Sequence, residues 1–172
     1  ALLLCCLLPA LAPAAKSDDL LGQLKVAYIY NFTRFIDWPA APHGRPFVIG
    51  VIGDPDTAER LRLLDGRQAE GRTIEIRRYA GVEDVEPSEM LFVGAAAEPE
   101  LAAIVQRTAG APTVLVGDTP GYAGRGIAIE FFLKPDVFGD KQRLRFRIDP
   151  KALHGRGLKV SAQLLDVAEV LP

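Results

Sequence analysis

"PFVIGVIG", residues 46–53, is the stretch on which the fold turns. It lacks the polar–apolar alternation of a half-solvated strand, as expected for a strand covered on both faces. It runs into Gly53-Asp54-Pro55-Asp56, after which "TAERLRLL" (57–64) reads as a helix, with Asp56 and Glu59 at capping-box spacing. Three further stretches carry strand signals: "TIEIRRY" (73–79), "MLFVG" (90–94) and "PTVLVGD" (112–118). Between the last two, "EPELAAIVQRTAG" (98–110) is helical, with a glycine where its C-terminal stop belongs. Short apolar strands alternating with helices predict an α/β fold built on a parallel, layered sheet.

Beyond residue 120 the pattern changes. "GIAIEFFL" (126–133) and "RLRFRID" (143–149) are strands separated by "KPDVFGDKQ", which predicts an antiparallel hairpin at the sheet edge. In the second strand Leu144, Phe146 and Ile148 alternate with Arg143, Arg145 and Arg147, so the arginines form a stripe on one face. Glu130 is a candidate partner for that stripe across the hairpin, and the stripe is a candidate docking face for an acidic partner or ligand. Val137 and Phe138 are apolar where a hairpin tip is normally polar; they either fold back on the core or offer an exposed contact. "PKALHGRG" (150–157) suggests a short helical turn and "LKVSAQLLDVAEV" (158–170) a closing amphipathic helix. The expected fold is a compact layered α/β sandwich, mostly parallel with an antiparallel edge hairpin, flanked by helices. No repeat or linker divides it, and residues 16–172 are expected to form one domain.

The aromatic side chains concentrate ahead of this sheet, in "YIYNFTRFIDWP" (28–39). Ser17, Asp18 and Asp19 give a helix start, and Trp38-Pro39 a stop. At 100° per residue, Leu20, Leu21, Leu24, Ala27, Tyr28, Asn31, Phe32 and Phe35 share a broad face, expected to be buried. Val26, Tyr30, Thr33 and Arg34 fall opposite, which makes Val26 and Tyr30 a candidate exposed contact patch.

The first fifteen residues, "ALLLCCLLPALAPAA", carry no charge and end in small residues. They have the character of the apolar core and cleavage site of an export signal, and are too short and proline-broken to span a bilayer comfortably. Cys5 and Cys6 both lie there, so the exported chain is expected to contain no cysteine, disulfide or thiolate metal site. A formal charge of −2 and the lack of a basic tract argue against nucleic acid as a partner.

Catalytic and cofactor motifs are scarce. His43 and His154 fit no two-histidine metal spacing, and Ser17, Ser88 and Ser161 lie outside any G-x-S-x-G elbow. Asp54 and Asp118 both end strands, where a shared cation is conceivable, although turn and capping roles are commoner for such acids. "GYAGRG" (121–126) precedes a strand rather than a helix, and so lacks the context of a dinucleotide loop. No enzyme activity and no cofactor are expected.

Taken in order, "KVAYIYNFTRFIDWP", "GIAIEFF", "LRFRID" and "GLKVSAQLLDVAEV" resemble the signature of the YfiR-like family of exported bacterial proteins, over residues 25–170. The resemblance implies a periplasmic regulator that binds the periplasmic domain of an inner-membrane diguanylate cyclase and represses it, limiting cyclic di-GMP and biofilm growth. It also implies a compact α/β sandwich, often a homodimer, without membrane insertion once the signal is cleaved. Many relatives carry a cysteine near the position of Ser88-Glu89, so redox sensing through a disulfide is not open to this chain. The partner-binding candidates are then Val26, Tyr30, Val137, Phe138, Arg143, Arg145 and Arg147. A periplasmic small-molecule-binding module, using the arginine stripe or the Asp54/Asp118 edge, is the alternative.

Overall fold

In the computed structural model, residues 14–136 and 142–172 are described, with side chains from residue 18 onward. Helix α1 (Ala14–Phe35) leads into a short strand, β1 (Ile36–Asp37), and then β2 (Phe47–Ile52). Helix α2 (Pro55–Leu61) continues as a 3₁₀ turn at Arg62–Leu64 and returns through β3 (Gln68–Ala69) to β4 (Arg72–Tyr79). There follow β5 (Met90–Val93), a 3₁₀ segment at Ala95–Glu100, α3 (Leu101–Arg107) and β6 (Val114–Gly117). The hairpin is β7 (Ile129–Pro135) and β8 (Gln142–Ile148), and the chain closes with α4 (Pro150–His154), β9 (Lys159–Val160), α5 (Ala162–Val167) and β10 (Glu169–Val170).

The main sheet has eight strands in the order β10-β8-β7-β6-β5-β2-β4-β3. Strands β4, β2, β5, β6 and β7 are mutually parallel, while β7/β8 and β3/β4 are antiparallel. The first long strand therefore lies between the second and third, the arrangement of a doubly wound sheet. The expected mostly parallel sheet with an antiparallel hairpin is what the structure shows, with one refinement. The hairpin is not outermost, because β10 adds to β8 in parallel and places Glu169 opposite Arg147.

Both faces of the parallel strands are covered, which explains their continuous apolar sequence. On one face Ile49, Val51, Phe92 and Val116 pack with Ile29 and Phe32 of α1, Leu61 of α2, and Leu153 and Leu164. On the other, Ile52, Leu91, Val93 and Leu115 pack with Leu101 and Ile104 of α3 and with Tyr122. Each fully buried aliphatic or aromatic side chain contributes about 1.5–3 kcal/mol of transfer free energy, so these two layers hold the domain together. The ring cluster of α1 belongs to the first: Phe32 packs edge-on against Phe146 at 5.1 Å and stacks near Phe131 at 5.8 Å.

Four local expectations are corrected. Helix α1 runs through residues 17–19 instead of starting there. Its buried stripe is Val26, Ile29, Phe32 and Thr33, so Val26, 8% exposed, is a core residue, whereas Leu20 and Leu24 are exposed. Asp54, not Asp56, caps α2: its carboxylate accepts from the Thr57 amide at 2.8 Å and the Thr57 hydroxyl at 2.7 Å. The closing segment is not one helix. Strand β9 pairs with β1, Ser161 caps α5 by accepting from the Leu164 amide, and β10 joins the sheet.

Candidate functional site

The turns after β2 and β5 pack directly on each other at the carboxyl edge of the sheet. Gly53 has φ +75°, and a Cβ there would lie 2.5 Å from the Ala97 amide nitrogen; one at Gly94 would lie 2.5 Å from the Asp54 Cβ. Only glycine permits this backbone and this approach. Below them Tyr122 is fully buried and donates its hydroxyl to the Gly94 carbonyl at 3.2 Å. Loss of hydration there raises the phenol's pKa above its ordinary value.

Beside these turns lies a cleft of about 750 Å³. Its walls come from α1 (Asp18, Leu21, Lys25), from α2 and its cap (Asp54, Asp56, Arg60), the loop after β6 (Asp118) and the hairpin (Glu130, Phe132, Leu133, Arg147). Several of its charges are already matched. Lys25 pairs with Asp118 across ninety-three positions of sequence, Arg60 with Asp19 at 2.7 Å, and Arg147 with Glu130 at 3.3 Å. Glu130 also accepts from the Ala123 amide, and the Arg147 guanidinium lies over the Phe132 ring at 4.4 Å.

Asp54 and Asp118 thus do line one cleft, but each carboxylate is engaged by a protein group: a helix cap for one, Lys25 for the other. Among the described residues, no group of three or more His, Cys, Asp or Glu side chains is placed to hold a metal ion. His43 and His154 are exposed and far apart in the chain, whereas Ser88 is buried and bonded to the Tyr79 hydroxyl at 3.1 Å and to the Glu86 carbonyl. "GYAGRG" forms a tight loop closed by an Ala123–Ile127 bridge.

The arginine stripe alternates as expected, with Leu144, Phe146 and Ile148 buried. Its three members differ in their surroundings. Arg147 is neutralised by Glu130 and, at 3.5 Å, by Glu169. Arg143 pairs with Asp136 at 2.8 Å. Arg145 is exposed and donates to the Val167 carbonyl at 3.4 Å. Lys134 stands opposite Arg143 in the ladder, so this end of the hairpin is basic. Tyr30 is half-buried at the shoulder of α1, with Arg67 over its ring at 5.5 Å and its hydroxyl donating to the Gln68 carbonyl at 3.5 Å. Val137 and Phe138 lie outside the described residues.

Two features carried no sequence signal. Lys25 reads as a polar position on a helix, and its partner is set by the end of a distant strand. The second is a buried pair at the opposite, amino-terminal edge: Glu89 accepts from Arg72 at 2.6 Å and from the Val48 amide at 2.8 Å, and the Trp38 indole donates to the Glu89 carbonyl at 3.0 Å. It is a structural clasp that ties the end of α1 to the sheet.

These features define a doubly wound α/β domain with a charged cleft at the carboxyl edge of its sheet and a basic hairpin. By sequence, residues 22–169 match the family described as DUF4154, YfiR/HmsC-like, and the chain belongs to that family. It is a family of regulatory proteins linked to diguanylate cyclase signalling. No curated protein matches the chain. Among solved structures, the conserved domain protein from Vibrio cholerae O1 biovar El Tor strain N16961 is similar, with a TM-score of 0.58 at 15% identity. The match covers 87% of this chain and 59% of that one, so this chain spans less than two thirds of that protein's length, and the likeness is one of fold. Among the described residues no helix is long and apolar enough to cross a membrane.

Proposed function

We propose that the protein acts in the periplasm by binding the periplasmic domain of a membrane-bound diguanylate cyclase and holding that cyclase inactive. The observation that carries this reading is the family match over residues 22–169, which takes in both cores, most of the cleft and the hairpin. The surface supports it. Arg145 and Lys134 have no ion-pair partner among the described residues, and the half-buried Phe132 stands opposite Arg145 on the same face of the hairpin. A basic patch with an apolar neighbour suits an acidic protein surface better than it suits a metal or a nucleotide. Export through the segment 1–15, and action as a homodimer, belong to the same proposal.

The experiment is a deletion in the native host, with cyclic di-GMP measured by mass spectrometry. Deletion should raise cyclic di-GMP while the partner cyclase is present and leave it unchanged when the cyclase gene is also removed. Unaltered cyclic di-GMP in the single deletion, with the cyclase expressed, would refute the repressor role.

A further inference from the structure

The cleft exists because two ladders have different lengths. β6 pairs with β7 only through Val116↔Ile129 and Gly117↔Glu130, and the chain then turns away at Asp118. β7 itself continues, paired with β8 as far as Pro135↔Gln142. Residues 131–135 of β7 therefore have β8 on one side and, among the described residues, no strand on the other. The cleft runs along this open side. Its walls draw on both faces of β7, with Phe131 and Leu133 from one and Glu130 and Phe132 from the other. That is the signature of a strand edge rather than of a pocket under one face, since successive side chains alternate.

An unpaired edge presents a row of N–H and C=O groups, which either must be protected or serve to add another strand. At about 3.3 Å per residue, residues 131–135 offer about 16 Å of edge. Protection is weak here. Leu133 is 45% exposed, and Pro135, which has no N–H to offer, stands only at the far end.

The charges define the occupant. Lys25, Arg60 and Arg147 are each held by a carboxylate, whereas Asp18, Asp54 and Asp56 have no ion-pair partner among the described residues. The mouth between α1 and α2 is therefore negative, and Leu21, Phe131, Leu133 and Leu144 make the floor apolar. We propose that the cleft is a strand-docking site: an extended segment of a partner protein, apolar along its length and carrying Lys or Arg, adds to the free edge of β7 at residues 131–135. This site differs from the basic face of Arg145, and the proposal holds whichever protein supplies the strand.

The test is fluorescence anisotropy on the purified exported protein with labelled five-residue peptides. One alternates Lys with Val, one alternates Glu with Val, and two versions of the first are N-methylated at one or the other set of alternate positions. The Lys peptide should saturate at or below about 100 μM, and the Glu peptide should bind about tenfold more weakly or worse. One of the two N-methylated versions should lose binding, because only alternate amides face the edge. Leu133→Lys and Asp56→Lys, both at the surface, should weaken the Lys peptide about tenfold without changing the melting temperature. Equal binding of the Lys and Glu peptides, insensitivity to both N-methylation patterns, or no saturation up to about 1 mM would overturn the proposal. So would dimerisation abolished by Leu133→Lys with no peptide bound, which would assign the edge to a second copy of the chain.

Discussion

Glu130 and Arg147 stand directly opposite each other across the β7/β8 ladder, and their side chains meet at 3.3 Å with the carboxylate 1% exposed. The pair joins the hairpin to the loop after β6, because the same carboxylate accepts from the Ala123 amide. Arg147→Ala would leave a buried carboxylate without its counter-charge. Breaking a fully buried pair costs about 3–5 kcal/mol; Arg147 is partly solvated, so a loss of about 2–3 kcal/mol is expected. Urea denaturation measures it. The double variant Glu130→Gln with Arg147→Met should recover most of the loss, since it removes the stranded charge as well as the pair.

Phe32 is the ring most deeply enclosed on α1, touching Tyr28, Phe131 and Phe146. Phe32→Ala should destabilise by about 3–5 kcal/mol, through lost transfer energy and a cavity that surrounding β-strands cannot collapse into. Thermal and chemical melts should agree on this. An unshifted midpoint would mean that α1 does not seal the sheet in solution.

The sheet was legible in the sequence because burial on both faces gives an unbroken apolar run, as in "PFVIGVIG", and the hairpin because "RLRFRID" alternates without exception. The Glu130–Arg147 pair followed from that alternation. The orientation of α1 was less legible. Its buried arc centres on Ile29 and brings in Val26, while the large rings Tyr28, Phe32 and Phe35 draw the apparent apolar face about one residue step away. Leu20 and Leu24 lie on the side of the helix away from Ile29, while Leu21 between them packs on the core, so apolarity there does not mean burial. The two-residue strands β9 and β10 depend on partners far away in sequence, and no local propensity marks them. The cleft is the extreme case, since it arises from where one ladder stops and the next continues.

Tyr122 gives a pH dependence with a definite sign. Its phenol is held neutral by burial, so its folded pKa lies above the ordinary value near 10. In the unfolded chain the same group ionises at that ordinary value. Stability from this source is therefore fully present below pH of about 10 and is lost as pH rises through the higher folded value. Alkaline melts should show the decline, and phenolate absorbance should show a late-ionising component that Tyr122→Phe removes. Tyr122→Phe should be less stable at neutral pH by about 1 kcal/mol, for the lost bond to Gly94, and should decline less steeply at high pH. An unchanged alkaline slope in that variant would show that another group controls it.

Three substitutions separate the two surfaces proposed to meet a partner from the packing that holds the fold. Arg145 is exposed, and among the described residues its hydrogen bond is to a carbonyl at 3.4 Å, so Arg145→Glu should change stability by less than about 0.5 kcal/mol, the range of an ordinary surface substitution. If the basic end of the hairpin docks on an acidic partner, the reversal juxtaposes like charges, and cyclic di-GMP should rise towards the level of the deletion strain. Tyr30→Ala is different, because Tyr30 supports Arg67 and reaches Gln68. A loss of about 0.5–1 kcal/mol is expected from the ring–cation contact alone, with the protein still folded. Any rise in cyclic di-GMP must therefore be compared with the protein's level by immunoblot. Leu133→Lys completes the set, as it alters the cleft while leaving Arg145 in place. A rise with Arg145→Glu but not with Leu133→Lys would place the cyclase on the basic face and leave the β7 edge to another strand. A rise with Leu133→Lys alone would place it on the edge. Full repression by all three variants at normal protein levels would remove both surfaces from the repressor's interface.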